Sequence, residues 1–157
     1  MLCERHSALR TTFSVEEGKP VQVVHDKQEI DFEQIDASGW DDETLKKRIT
    51  DAYERPFDLE NGPLLRVRLF ACAENEQLSM PARFILLLTF HHIICDAHSI
   101  WVLLGELLTG SKNFARSASP KATEVVTTKR TRTYADYVAW QSEMLAGEKG
   151  QQLWAYW

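Results

Sequence analysis

The run Phe84-Ile85-Leu86-Leu87-Leu88-Thr89-Phe90 leads directly into His91-His92-Ile93-Ile94-Cys95-Asp96-Ala97-His98-Ser99. A short, unbroken, β-favouring apolar run predicts a buried strand. Two histidines at its exit, followed by an aspartate, put titratable groups where a sheet meets a crevice. Three uses are open to such a stretch: proton transfer, metal binding, or a well-satisfied structural corner.

The rest of the chain narrows the setting. At 157 residues and 44% hydrophobic it can bury a core as one domain or as part of a larger one. A net charge of −5 argues against general nucleic-acid binding, which needs a basic surface to neutralise phosphates. No apolar stretch is long enough to span a bilayer, and Met1-Leu2-Cys3-Glu4-Arg5-His6 lacks the apolar core of a signal peptide. Cys3, Cys72 and Cys95 are odd in number and widely spaced, which suits reduced thiols and a cytoplasmic location.

Residues 2–10 read as the end of a helix. Thr11–Val15 and Val21–His25 read as strands joined by the turn residues Glu16-Glu17-Gly18-Lys19-Pro20. Asp41–Arg55 is a helix with Leu45, Ile49, Ala52 and Tyr53 on one face, acidic residues at its N-terminus, and Pro56 as its stop. Leu65, Val67 and Leu69 alternate with Arg66 and Arg68, a strand pattern beside Phe84–Phe90. Ser99 is the expected cap of a helix from Ile100 to about Thr109, ended by Gly110. Residues 111–132 are polar and expected to form a flexible loop whose basic tetrad Lys129–Arg132 is a solvated surface. Thr133 with Asp136 forms a capping-box signature for a helix through Leu145. The chain stops at Leu153-Trp154-Ala155-Tyr156-Trp157, aromatics that expect something to pack against and are candidates for self-association.

Four segments, in order, resemble one family. Arg5-His6-Ser7-Ala8-Leu9-Arg10-Thr11-Thr12-Phe13 resembles the RHxxLRTxF motif of nonribosomal peptide synthetase condensation domains. Pro56-Phe57-Asp58-Leu59 with Gly62-Pro63-Leu64-Leu65-Arg66 resembles the PFDL…GPLLR segment, and His91–Ala97 resembles HHxxxDG. Tyr134-Ala135-Asp136-Tyr137-Val138-Ala139-Trp140-Gln141 resembles YxDYxxWQ, with an LxYW match following at Leu153–Trp157. HxxxD alone is shared with CoA-dependent acyltransferases; four segments in register are far more specific.

The resemblance implies an α/β fold, an α+β two-layer sandwich forming one chloramphenicol-acetyltransferase-like lobe. Family members have two such lobes with the active site between them. Residues 1–157 match the N-terminal lobe, after its first strand and opening helix and before the second lobe. The implied partners are therefore carrier (thiolation) domains and the missing C-terminal lobe. The implied cofactor is phosphopantetheine presented by those carriers, with none bound directly. By the same resemblance His92 is the catalytic histidine and His91 a structural neighbour. Asp96 could touch His92 as in a triad; the resemblance points instead to an ion pair with Arg5 that pins the loop, with Arg10 as second choice. Ala97, which stands at the family's Gly, joins Ser99 and Arg10 as a candidate for the site lining. An Ala there would be strained if the position needs positive φ, or would narrow the crevice if Gly served close approach.

Read without the family, His91, His92, Cys95 and His98 invite zinc. No second ligand cluster supports it, and Cys95 beside Ile94 reads as a small buried residue. Neither a nucleophile-elbow serine nor a phosphate-binding glycine loop is present. The expectation is a condensation-domain fragment, inactive alone. The rivals are a CoA-dependent acyltransferase of the same fold, and a non-catalytic remnant or interaction lobe.

Overall fold

A computed structural model describes residues 2–73, 83–116 and 132–156. Contacts divide the chain into two units, residues 1–103 and residues 104–157. The first opens with α1 (Leu2–Arg5) and a 3₁₀ turn (Ser7–Arg10), not the continuous helix expected. β1 (Thr11–Glu16) and β2 (Lys19–Val24) then pair as an antiparallel hairpin around Glu17 and Gly18.

A strand that the sequence reading passed over follows. β3 (Asp31–Asp36) lies parallel to β4 (Leu65–Cys72), which pairs antiparallel with β5 (Arg83–Phe90). The sheet order is β3-β4-β5. β5 is therefore an edge strand among the described residues, half-exposed at Phe84 and Leu86, and not the buried strand its apolar run predicts.

α2 (Asp42–Glu54) is capped by Asp41, whose carboxylate accepts from the Thr44 N–H at 2.8 Å. One sheet face meets α2: Phe70, fully buried, clusters with Ala37 and Leu45, and Ile49, Ile85 and Leu87 pack around them. The other face meets α1, the 3₁₀ turn and the start of α3 through Cys3, Leu9, Leu65 and Leu103. Removing a side chain such as Phe70 from water is worth roughly 1.5–3 kcal/mol. These two clusters fix the sheet between its helices.

The α2 face also holds charge. Registers Asp31↔Arg66 and Glu33↔Arg68 bring four ionic side chains together. Arg68 Nη2 lies 2.7 Å from Asp31 Oδ1 and its Nε 3.0 Å from Glu33 Oε2; Arg66 Nε lies 3.3 Å from Asp31 Oδ2. Arg66 and Arg68 are buried, at 4% and 5% exposure. With Asp31 half-buried against the arginines and Phe32 facing solvent, β3 lacks a clean apolar-in, polar-out pattern, which is why alternation did not reveal it.

α3 spans Ala97–Arg116, running through Gly105 and Gly110. Glycine inside a helix costs about 1 kcal/mol relative to alanine, too little to end one that packs. Residues 111–116 of the expected loop are thus helical; residues 117–131, with the Lys129–Thr131 part of the basic tetrad, lie outside the described residues.

In the second unit, Thr133 and Asp136 form the expected capping box at the start of α4 (Tyr134–Ala146). α5 (Glu148–Tyr156) folds back against it. Gly150 makes that turn possible, because a Cβ there would sit 1.9 Å from the Leu145 carbonyl oxygen. Tyr134, Tyr137 and Trp140 form a row of ring contacts at 6.1 and 5.7 Å. Trp140 and Trp154 are exposed, while Trp157 lies outside the described residues. Among the described residues no helix is long and apolar enough to cross a membrane.

Candidate active site

β5 ends at Phe90, and the chain turns at once, with the Ile94 N–H donating to the His91 carbonyl at 3.1 Å. The two histidines diverge at this turn. His91 faces inward. Its N–H donates to the Leu64 carbonyl at 3.0 Å, and its Nδ1 accepts from the Ile93 N–H at 3.1 Å. Its ring meets Phe57 edge to face, centroids 6.0 Å apart. His92 faces outward and is exposed. It stands at an apolar crevice of ≈ 370 Å³ lined by Tyr53 of α2, Leu87 to Phe90 of β5, Cys95, and Ile100 of α3. An imidazole here is reachable by a solute and has nonpolar walls beside it.

Asp96 does something other than expected. Its Oδ1 accepts from the Ser99 N–H at 2.8 Å and the Ser99 hydroxyl at 2.6 Å, while its carbonyl accepts from the Ile100 N–H. Asp96, not Ser99, is the N-cap of α3. The Ser99 hydroxyl donates to the cap and does not line the crevice. The expected pairing with Arg5 is not among the contacts of Asp96, nor is a triad contact with His92. The physical reason is local. The first turn of a twenty-residue helix leaves N–H groups without partners, and a carboxylate one residue before it satisfies them without closing a long loop. These Ser99 hydrogen bonds hold the Asp96 pKa below its ordinary value, with a smaller contribution from His98.

Arg5 lies on α1 and is exposed. Arg10 is no crevice residue: its Nε donates to the Cys3 carbonyl at 2.7 Å and its Nη1 to the carbonyls of His25 and Asp26. It ties α1 to the exit of β2. Ala97 is the first residue of α3 and is absent from the positive-φ residues, so the alanine carries no left-handed strain there. Cys95 lines the crevice, its thiol pKa raised by burial and then by Asp96. Among the described residues no three His, Cys, Asp or Glu side chains gather as a metal would require.

The loop preceding β4 supports this corner. In the Pro56-Phe57-Asp58-Leu59 turn, Asp58 Oδ1 accepts from the N–H groups of Glu60 and Asn61, each at 3.0 Å. Gly62 has φ +65°, and a Cβ there would reach Gln28 Nε2 at 2.9 Å. Arg66 donates to the carbonyls of Ala52, Arg55 and Pro56 at 3.0–3.2 Å and lies 4.4 Å from the Phe57 ring centroid. Burial, then Arg55, lowers its pKa against the opposing pull of Asp31. Sequence alternation gave no sign of this arginine's inward path.

Comparison with known proteins gives a single direction. The family model described as Condensation domain matches residues 1–157. A linear gramicidin synthase from Brevibacillus parabrevis is 37% identical over 162 residues, covering 100% of this chain and 2% of that protein. Surfactin synthase subunit 1 from Bacillus subtilis (strain 168) is 36% identical over 157 residues, covering 99% of the chain and 4% of that protein. The chain thus spans a few per cent of the length of such relatives. Among solved structures, the epimerization domain from the third module of tyrocidine synthetase B superposes with a TM-score of 0.75 at 25% identity, covering 99% of this chain and 33% of that one. The starter condensation domain of rhizomide synthetase superposes equally well, TM-score 0.75, at 16% identity and 35% of that chain's length. That last likeness speaks for the fold alone, of the chloramphenicol-acetyltransferase-like kind.

Proposed function

The chain belongs to the condensation-domain family, and from that premise we propose that it supplies the histidine-bearing part of an amide-forming active site, with His92 as the acting group. The observation that carries the reading is His92 standing exposed at an apolar crevice, on a turn secured from behind by His91.

The chemistry follows from what an amine needs. An α-amino group has a pKa near 8, so much of it is protonated and not nucleophilic at neutral pH. The neutral imidazole of His92 accepts a proton from the attacking nitrogen or holds the unprotonated amine in line. The nitrogen lone pair attacks the thioester carbonyl carbon, the C–N bond forms, the C–S bond breaks, and the thiolate leaves to be protonated. Donors facing the intermediate oxyanion would stabilise that state. The thioester arrives on the phosphopantetheine arm of a carrier domain, as substrate. The crevice wall, aliphatic and aromatic apart from Thr89, His92 and the Cys95 thiol, suits the alkyl part of that arm.

The relatives' lengths support carrier domains and a second lobe as partners, since comparable solved domains are about three times as long as this chain. The exposed aromatics of α4 and α5 are surfaces such a remainder would cover. The reading is tested by His92→Ala within a complete domain containing this chain, given carrier-bound donor and acceptor. Amide formation should fall by on the order of 10²–10⁴-fold with the fold intact. Near-unchanged rates would refute the assignment. The isolated chain should give no turnover.

A further inference from the structure

We infer that Arg66 is a positioning residue for the histidine turn, acting through the ring of Phe57 on His91. Its catalytic meaning rests on the role proposed for His92; its geometry does not.

Arg66 is buried and its guanidinium is held on three sides. Nε faces Asp31, Nη1 donates to the carbonyls of Ala52 and Arg55, and Nη2 to that of Pro56. The C-terminal carbonyls of α2 and the first residue of the Pro56–Leu59 turn are thus fastened to one planar fork. The face of that fork lies on Phe57, whose position is set by it. Phe57 in turn meets the His91 ring at an interplanar angle of 89°. That contact orients the imidazole so that Nδ1 accepts the Ile93 N–H, which requires a neutral ring to carry its hydrogen on Nε2. The Ile93 N–H directly follows His92 in the chain. The exit of β5, the turn, and the direction in which His92 leaves it are therefore coupled to a guanidinium on β4. A second link runs in parallel, from the Leu64 carbonyl to the His91 N–H, two residues before Arg66. The geometry gives Phe57 and Arg66 one shared task.

The test uses the 157-residue chain labelled with ¹³C and ¹⁵N at its five histidines. Phe57→Leu keeps apolar volume and removes the aromatic ring; Arg66→Lys keeps charge and removes the planar fork. In the parent chain the His91 ¹⁵N signals should show one tautomer, with hydrogen on Nε2. In both variants the His91 ring signals should shift and the tautomer signature should average, while those of His6 and His98 hold still. Unchanged His91 signals in folded Phe57→Leu would overturn the inference. So would Arg66→Lys that leaves His91 unmoved while lowering thermal stability, since Arg66 would then be only a strut. Should Arg66→Lys fail to fold, Arg66→Gln, which retains a planar amide able to donate to the carbonyls, takes its place with the same two readings. None of these signals requires turnover. A failure of the catalytic assignment to His92 would appear in the rate assay and leave them as they are.

Discussion

Asp31→Ala tests the inward-facing charge on the sheet. The carboxylate sits 2.7 Å from Arg68 and 3.3 Å from Arg66, whose side chains are 6% and 5% exposed. Removing one partner of a buried ion pair costs about 3–5 kcal/mol, because the remaining charge stays buried without compensation. Two features pull the value down here. Asp31 itself is 31% exposed, and Glu33 and five backbone carbonyls, that of residue 31 included, still serve the two arginines. The expected loss is therefore about 3 kcal/mol, the lower end of that range. With a urea m-value of about 1–3 kcal/mol/M, the midpoint should fall by roughly 1–3 M. Urea titration followed by far-UV circular dichroism reads it, and the loss should persist in about 1 M NaCl, since buried pairs are weakly screened. Asp31→Ala/Arg68→Met should lose less than the two single changes summed. If the arginines faced water, the change would cost at most about 1 kcal/mol and shrink with salt. That result would refute the buried network.

Two further outcomes follow from shifted acidities. Hydrogen bonds from Ser99, Thr44 and Asn61 hold Asp96, Asp41 and Asp58 below the ordinary carboxylate pKa. A folded-state pKa below the unfolded one gives stability that is present above the unfolded value and lost as pH falls through the folded one. Helical signal should stay level from about pH 8 to about pH 5 and drop below about pH 4, and Asp96→Asn should remove the share of α3, because Asn caps without titrating. A loss centred near about pH 6.5 would instead implicate histidine. The Cys95 thiol, raised by burial and by Asp96, should react with iodoacetamide at neutral pH more slowly than a model thiol, as followed by mass spectrometry of the peptide. Faster reaction would contradict the half-buried placement.

Much of the site was legible because local rules govern it. The β5 run, the α2 boundaries with Asp41 and Pro56, and the Thr133–Asp136 box are decided within a few residues. The motif around His92 likewise marked the residue that reaches the crevice. Asp96 shows where resemblance and local physics part: the helix it precedes takes its carboxylate, whereas Arg5 lies in a distant segment of sequence.

Amino-acid order alone determined that a strand would end in paired histidines, where α2 begins and stops, and which family the segments resemble. Tertiary structure alone decided that β3 exists, that Arg66 and Arg68 turn inward, and that Phe57 stands between Arg66 and His91. Caps and apolar periods are set by neighbours along the chain. A buried guanidinium depends on a carboxylate thirty-five residues away, and no pattern on its own strand records that partner.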